Sequence, residues 1–301
     1  MPRLSIIIPH RHNDQRLEST ILSVLENRPH DCEIIVVHDG NYTDPYDLAD
    51  ELLFVEGEAH ENCLQLINAG VMAACSPVVC TLLDGVTVNG DWAESPLELL
   101  LDTEVAAVSV AASIQGDCAY GIDARSLGNS GDLQSGRVEL TRPKTSAGPQ
   151  LSCGFYRRKV LLALGGWNAR LELAVADIDL AWTFRALELA CQTDSSVQVS
   201  VDAACRRSFA NASMKQLAEL AVAYGVSAGG ATSAMSDLLR GCLSGQVSLA
   251  VAWSSGIMSG RANESVSARL ELAKKQLEAQ QQPMLKFYPE AATARPQRRA
   301  A

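Results

Sequence analysis

Aromatic residues, long apolar runs and clustered basic residues are scarce in this sequence. Only 5% of its 301 residues are aromatic. The longest apolar runs, such as VAAVSVAAS from Val105, fall far short of the roughly 20 residues that span a bilayer, so no transmembrane helix is expected. The formal charge of -10 argues against a nucleic-acid partner, because binding to its phosphate backbone requires clustered Lys and Arg.

Paired cysteines and a secretory signal are also lacking. The nine cysteines form no CxxC pair and lie mostly within apolar runs, so neither a disulfide framework nor a zinc site is expected. The N-terminal segment MPRLSIIIPHRHND has no small-residue cleavage site of the kind that ends a secretory signal. We therefore expect a cytoplasmic protein.

The sequence is rich in aliphatic residues, and 47% of it is hydrophobic, which is enough for one sizeable core. Strand-like and helix-like segments alternate in the first half of the chain. Strands are predicted at 4–9, 32–40, 78–84 and 105–113, and helices at 14–27 and 60–75. Continuous Val/Ile runs are typical of strands that are covered on both faces. The pattern predicts an α/β fold with a doubly wound, mainly parallel sheet.

The second half of the chain is organised differently. Residues 115–150 are rich in Gly, Ser and Asp, which predicts a flexible loop or a functional lid. Regular order returns after 150, with a helix that begins near Asp177, and the chain from about residue 213 reads as helical. We therefore predict two regions, 1–212 and 213–301. The second would be a helical C-terminal extension that could assemble a homo-oligomer.

Polar residues follow the predicted strands at three places: IIIPHRHN at 6–13, VVHDGNYTD at 36–44 and LLDGV at 82–86. In open α/β sheets, ligands bind beyond the carboxyl ends of the strands. A fourth polar segment, ADIDL at 176–180, opens a predicted helix, where acids would suit the positive end of the helix dipole. These segments are candidates for one ligand site.

The order and spacing of these segments resemble family-two glycosyltransferases with the GT-A fold, over about residues 3–190. The matching segments include NAGVMAACSPVVCTLLD at 68–84, CGFYRRK followed by LGGWNARL, and DIDLAWTFR. The usual second-strand ending of that family is VVDDGSTD, and VVHDGNYTD keeps its second acid as Asp39. The resemblance implies a GT-A-like transferase domain that binds a nucleotide-sugar donor.

The resemblance also assigns donor-binding roles. Asp39 would accept hydrogen bonds from the base or ribose, and Pro9 and His10 would lie where the first strand approaches the base. Asp84 matches the first acid of the Asp-x-Asp motif, which binds the diphosphate and a divalent metal, Mn or Mg. The residues alone also suit other roles: Asp39-Gly40-Asn41 suits a tight turn, and Asp84 could simply end a buried strand.

Asp177 matches the catalytic base of the family, which removes the proton of the acceptor hydroxyl. Its alternative role is to cap the predicted helix, and Asp177 with Asp179 could instead form a metal site. Arg157 and Arg158 could contact phosphate, although two surface charges before a helix are a common arrangement. His38 is expected to be a surface histidine.

We therefore expect an inverting glycosyltransferase that acts on an unknown acceptor. Three positions depart from the family pattern, because His38, Val86 and Ala176 stand where acids are usual. These departures favour an alternative, a catalytically inactive glycosyltransferase-like protein that binds a sugar nucleotide or a partner. A nucleotidyltransferase would need a Gly-rich first loop, and PHRHND contains no glycine.

Overall fold

The computed structural model describes residues 2–122, 146–205, 211–225, 251–252, 254–255 and 262–281. Its strands are β1 (Leu4–His10), β2 (Cys32–His38), β3 (Leu53–Glu56), β4 (Val78–Leu82), β5 (Val86–Thr87), β6 (Val105–Ile114), β7 (Asp117–Ala119), β8 (Cys153–Arg157) and β9 (Ala190–Val201). Its helices are α1 (Asp14–Glu26), α2 (Cys63–Ala73), α3 (Glu94–Leu99), α4 (Arg158–Leu164), α5 (Leu173–Ala186), α6 (Asn211–Ala223) and α7 (Ala262–Gln281).

The described strands form one sheet in the order β3-β2-β1-β4-β8-β6-β9-β5, and β7 pairs with β6. The strands β3, β2, β1 and β4 are parallel to one another. β8 runs antiparallel to both of its neighbours, β4 and β6, whereas β6 and β9 are parallel. The prediction of a mainly parallel α/β sheet is therefore confirmed.

Helices cover both faces of the sheet because its central strands are apolar on both sides. In β1, Leu4, Ile6 and Ile8 pack with α1 on one face. Ile7 lies on the other face, in the cluster that contains Leu66 of α2. Successive side chains of a strand point to opposite faces, so a continuous aliphatic strand requires cover on both sides.

Helix α5 is apolar on nearly every side because it lies between two packed layers. Ala176 and Phe184 belong to the core next to the sheet. Ile178 and Trp182 belong to a separate cluster that includes residues of α6 and α7. A helix that is hydrophobic all round is a buried helix. The C-terminal helices therefore complete the burial of α5.

Three features differ from the prediction or extend it. Helix α5 begins at Leu173, one turn before the predicted start, and its first turn contains no acid. β3 was not predicted, because its four residues are only partly buried or exposed and lack a continuous apolar pattern. Of the predicted loop at 115–150, residues 123–145 lie outside the described residues, as does most of 226–261. None of the described helices has the length and apolar character needed to cross a bilayer.

Candidate active site

The central strands β2, β1 and β4 end at the same edge of the sheet, which we call the strand-end rim. The ladder between β1 and β2 continues to His10 and His38, whereas the ladder between β1 and β4 ends at Ile7 and Thr81. Because α1 and α2 cover opposite faces, the topological switch point lies between β1 and β4, where α/β sheets bind ligands. The rim brings together four residues that the sequence predicted to bind the donor: Pro9, His10, Asp39 and Asp84.

His10 lies between two carboxylates although its side chain is only 2% exposed. Its Nε2 is 2.9 Å from Asp14 Oδ1, and its Nδ1 is 3.6 Å from Asp84 Oδ2. The distance of 3.6 Å to Asp84 is too long for a hydrogen bond, so His10 and Asp84 interact through their charges. Burial lowers the pKa of His10, but the two carboxylates outweigh burial and raise the pKa above its ordinary value of 6.5. Asp14 was not among the predicted site residues.

Asp39 is buried at the end of β2, beside Arg11. Its Oδ1 accepts a hydrogen bond from the Asn41 N–H at 3.3 Å, which confirms the tight turn, and Gly40 adopts a φ of 86° there. Its Oδ2 is 4.0 Å from Arg11 Nε, an atom that is buried without a hydrogen-bond partner. A buried carboxylate and a buried cationic N–H thus lie close together but beyond hydrogen-bond distance. No sequence pattern singled out Arg11.

Aromatic rings form one wall next to Asp39. Tyr42 stacks on Phe54 with ring centroids 6.0 Å apart and meets His10 edge-on at 5.5 Å. His38, expected at the surface, is buried instead, because Tyr42 and Phe54 both pack against its ring. Burial lowers the pKa of His38 below 6.5. A neutral ring agrees with its geometry, since His38 Nδ1 accepts the Gly40 N–H at 3.2 Å.

Asp84 follows β4 and is partly exposed at the rim, with 28% of its side chain accessible. Gly85 then turns the chain with a φ of 87°, a conformation that favours glycine. Val86 is fully buried and pairs with Val201 of β9, so position 86 lies in the core and not at the rim. The nearest acid across this turn is Asp202, whose N–H donates to the Gly85 carbonyl at 2.9 Å. Within the described residues, no group of three His, Cys, Asp or Glu side chains is arranged so that it could hold a metal ion.

Asp177 lies on α5 and is only 1% exposed. Its Oδ2 accepts the Leu151 N–H at 3.0 Å. The carbonyl of the next residue, Ser152, accepts the Leu83 N–H at 3.1 Å, directly before Asp84. One short segment therefore links Asp177 to the end of β4. Asp177 lies in the second turn of its helix, so it does not cap the helix as the alternative reading had it.

Asp179 has different partners from Asp177. Its Oδ2 accepts a hydrogen bond from Arg269 of α7 at 2.7 Å, and its Oδ1 accepts the hydroxyl proton of Tyr224 at 2.9 Å. Residues two apart on an α-helix point in nearly opposite directions, about 200° around the axis. Asp177 and Asp179 therefore do not converge on one metal ion, and the alternative of a metal site between them is wrong.

Arg157 and Arg158 hold backbone carbonyls. Arg157 donates to the carbonyls of Val105 and Leu100, both at 2.6 Å, and Arg158 donates to that of Val71 at 3.0 Å. Because β8 is antiparallel, its final residue lies at the edge of the sheet opposite to the strand-end rim. Neither arginine is therefore a phosphate ligand at the rim, and the description as surface charges was also incomplete.

Comparisons with known proteins agree with this architecture. The structure of GalNAc-T7 with UDP, GalNAc and Mn²⁺ is similar with a TM-score of 0.53 and 13% identity, covering 74% of this chain and 48% of that chain. The mannosyltransferase PcManGT from Pyrobaculum calidifontis, in complex with GDP-Man and Mn²⁺, gives a TM-score of 0.50 and 16% identity, covering 93% of this chain and 88% of that chain. The chain thus spans about half the length of GalNAc-T7. No curated protein sequence matches this chain.

The sheet order, the rim at the switch point and these similarities define a GT-A-like α/β domain with a helical C-terminal extension. A comparison of the sequence with family models identifies the family. The family model described as glycosyl transferase family 2 matches residues 5–165, a little more than half of the chain. The chain therefore belongs to glycosyl transferase family 2, as its strand-end motifs indicated.

Proposed function

We propose that this protein transfers a sugar from a nucleotide-sugar donor to an acceptor hydroxyl, with inversion at the anomeric carbon. The observation that carries the proposal is the strand-end rim, where Asp39, His10 and Asp84 lie at the ends of three adjacent parallel strands at the switch point. The family, the UDP and GalNAc in the GalNAc-T7 structure and the GDP-Man in the PcManGT structure support it.

The nucleoside would bind at Asp39. A carboxylate accepts hydrogen bonds from base N–H or ribose O–H groups, and a buried carboxylate does so without competition from water. Arg11, 4.0 Å away, would bind an acceptor atom of the same ligand. Pro9 and His10 would lie beneath the nucleoside at the strand-end rim, because both are buried at the end of β1. The ligand would thus satisfy polar groups that face each other without a hydrogen bond.

The diphosphate would lie near Asp84, where a divalent cation fits the residues present. Mg²⁺ is commonly held by one or two carboxylates together with substrate phosphates and water, and Asp84 supplies one exposed carboxylate at the rim. Mn²⁺ in both similar structures agrees with such a site. When bound, the cation would neutralise the charge of the departing diphosphate. Asp202 lies across the Gly85 turn, but its carboxylate is paired with Arg16 at 3.4 Å, so Asp84 would be the carboxylate that holds the cation.

Asp177 would act as the general base. The acceptor oxygen attacks the anomeric carbon, the bond from that carbon to the diphosphate oxygen breaks, and its electron pair stays on the diphosphate. Asp177 takes the proton from the acceptor hydroxyl. The Leu151 N–H orients the carboxylate at 3.0 Å, and a base must be oriented towards its proton. Because Asp177 is 1% exposed, the acceptor reaches it only when the segment that contains Leu151 moves.

A second candidate function is binding without turnover. The observations that favour it are the buried Val86 at the usual place of the second metal ligand and the burial of Asp177. Such a protein would keep the nucleoside site at Asp39 and bind a sugar nucleotide or a partner protein.

Calorimetric titration with UDP-, GDP- and dTDP-sugars, with and without Mn²⁺, followed by a turnover assay, separates the two functions. We expect Asp39→Asn to weaken donor binding roughly tenfold to hundredfold, because a hydrogen bond to a charged group contributes about 1.5–3 kcal/mol. Asp177→Asn should leave donor binding within about twofold and abolish turnover. The matched control is Asp50→Asn, at an exposed aspartate of the loop that follows β2.

The outcomes point in different directions. Binding that depends on Asp39, with turnover that depends on Asp177, supports the transferase. Binding that depends on Asp39 without hydrolysis or transfer for any donor supports the second candidate. The absence of binding under both metal conditions would sink both functions.

A further inference from the structure

We propose that Arg269, in the C-terminal helix α7, is a positioning residue for Asp177: by holding Asp179 it fixes the rotation of α5, and with it the direction of the Asp177 carboxylate. The C-terminal helices would then contribute to catalysis by orienting the proposed general base. The inference rests on the proposed function only where it concerns catalysis, since the geometric part concerns the orientation of one side chain.

Four side chains, from two helices and from the residue that follows a third, form a closed polar network against α5. Arg269 donates to Asp179 at 2.7 Å and to the Tyr224 hydroxyl at 2.9 Å. It also donates to Thr183, whose hydroxyl lies 2.8 Å from that of Tyr224. The Tyr224 hydroxyl reaches Asp179 at 2.9 Å. Asp179 and Thr183 belong to α5, Tyr224 directly follows α6, and Arg269 belongs to α7.

The network is buried, which makes it costly to break. The side chain of Asp179 is 2% exposed and that of Arg269 is 22% exposed. Removing one partner of such a pair leaves an uncompensated charge in a low-dielectric setting, and the loss is larger than for an exposed pair. The Tyr224 ring also packs edge-on against Trp182 of α5, with ring centroids 5.7 Å apart. The contact between α5 and the C-terminal helices is therefore both charged and aromatic.

A second contact fixes the beginning of the same helix. Gln216 of α6 accepts the Glu172 N–H at 2.8 Å, and its amide donates to the Arg170 carbonyl at 3.3 Å. Glu172 precedes α5 and has no side-chain cap of its own. Backbone N–H groups at a helix start need an external partner, and here α6 supplies it. The start and the middle of α5 are thus both held from outside the sheet.

The position of Asp177 follows from this anchoring. Asp177 and Asp179 project about 200° apart around the helix axis, so holding Asp179 towards α7 turns Asp177 away from α7. There its Oδ2 receives the Leu151 N–H. A rotation of α5 by one residue, about 100°, would break both contacts together. Because the two contacts share one rigid helix, loss of the Arg269 pair should loosen the Leu151 contact.

Hydrogen exchange at the Leu151 amide tests this directly, because that N–H reports the position of the Asp177 carboxylate without any substrate. We expect Arg269→Met to speed exchange at Leu151 about tenfold or more relative to the Ile35 amide of β2, and Arg269→Lys to have a smaller effect. Tyr224→Phe, which keeps the ring on Trp182, is a milder variant should Arg269→Met fail to fold. Lys215→Met is the matched control, since Lys215 of α6 is an exposed cation whose Nζ lies 4.0 Å from Glu219 and is not part of the network.

Acceleration at Leu151 alone, in Arg269→Met and Tyr224→Phe but not in Lys215→Met, supports the proposal. Equal acceleration at Leu151 and Ile35 means a global loss of stability and overturns it, as does an unchanged Leu151. Where turnover is established, Arg269→Met should lower kcat and leave KM for the donor within about twofold, whereas a raised KM with unchanged kcat would contradict positioning. If no donor is turned over, the proposed function fails, and the exchange result still decides whether Arg269 holds Asp177.

Discussion

Two histidines that face each other across neighbouring strands have opposite charge preferences at the strand-end rim. His10 of β1 and His38 of β2 are register partners. His10 lies between the carboxylates of Asp14 and Asp84, whereas His38 packs against Tyr42 and Phe54. Both rings are buried, and the balance of burial against charge differs: the two carboxylates beside His10 outweigh burial, whereas at His38 burial outweighs the charges of Glu56 and Asp39. The immediate neighbours of each histidine thus determine whether its ring is charged at the strand-end rim.

The pKa values of the two histidines should lie on opposite sides of the ordinary value of 6.5. The pKa of His10 is raised, so its contribution to stability is complete below 6.5 and is lost as the pH rises through the folded-state value. The pKa of His38 is lowered by burial, so its contribution is present above 6.5 and is lost as the pH falls through its folded-state value. NMR titration of the ring signals, assigned with His10→Gln and His38→Gln, measures both.

Asp14→Asn provides the control for this titration. It removes one of the two anions on His10, so the His10 midpoint should move down, whereas the His38 midpoint should not, because the charge of His10 lowers the pKa of His38 and that charge is reduced. A His38 midpoint above that of His10 would contradict the assignment of charge in the crevice.

At the scale of elements, apolar periodicity predicted the helices and strands whose burial is regular. Leu17, Ile21 and Val24, spaced three or four residues apart in the sequence, lie on the buried face of α1. The direction of β8 could not be predicted, because an antiparallel strand with both faces covered has the same aliphatic pattern as a parallel one. That direction places Arg157 at the edge opposite to the rim. The role of an arginine therefore depended on topology, which local sequence does not encode.

Close packing of α2 on the sheet makes Gly70 a sensitive position. A Cβ on Gly70 would lie 2.4 Å from Ile7 Cγ2 and 3.1 Å from Val37 Cγ2, both in fully buried residues. Alanine favours a helix by about 1 kcal/mol over glycine, but overpacking costs about 1–3 kcal/mol. We expect Gly70→Ala to lower the free energy of unfolding in urea. Met72→Ala, at a 68% exposed position of the same helix, should change it by less than about 0.5 kcal/mol. A stabilised Gly70→Ala protein would show that α2 can move away from β1.

For the whole molecule, the site depends on contacts between parts that are distant in the sequence. The strand-end positions of Pro9, His10, Asp39 and Asp84 were predictable, because each lies at or just beyond the end of an apolar strand, and their role in donor binding stays a proposal. The pairing of Asp179 with Arg269 was not, because the two residues lie 90 positions apart and neither has a local pattern that names the other. Helix α5 connects these distant parts, because one side of it packs on the sheet and the opposite side packs on α6 and α7.

A chain that ends at residue 212, the predicted boundary between the two regions, should therefore not fold stably. It would expose Val175, Ile178 and Trp182, which α6 and α7 help to bury. Burial of such side chains contributes about 1.5–3 kcal/mol each, so the loss of about 5–9 kcal/mol is as large as the stability of a typical domain, about 5–15 kcal/mol. Asp179 would also lose its ion pair with Arg269.

The matched control is a chain that ends at Gln281, which keeps every described helix. Thermal unfolding followed by circular dichroism should show a cooperative transition for the control and none for the shorter chain. Equal midpoints for the two chains would mean that α5 holds its place on the sheet by itself, and that the C-terminal helices are an independent unit.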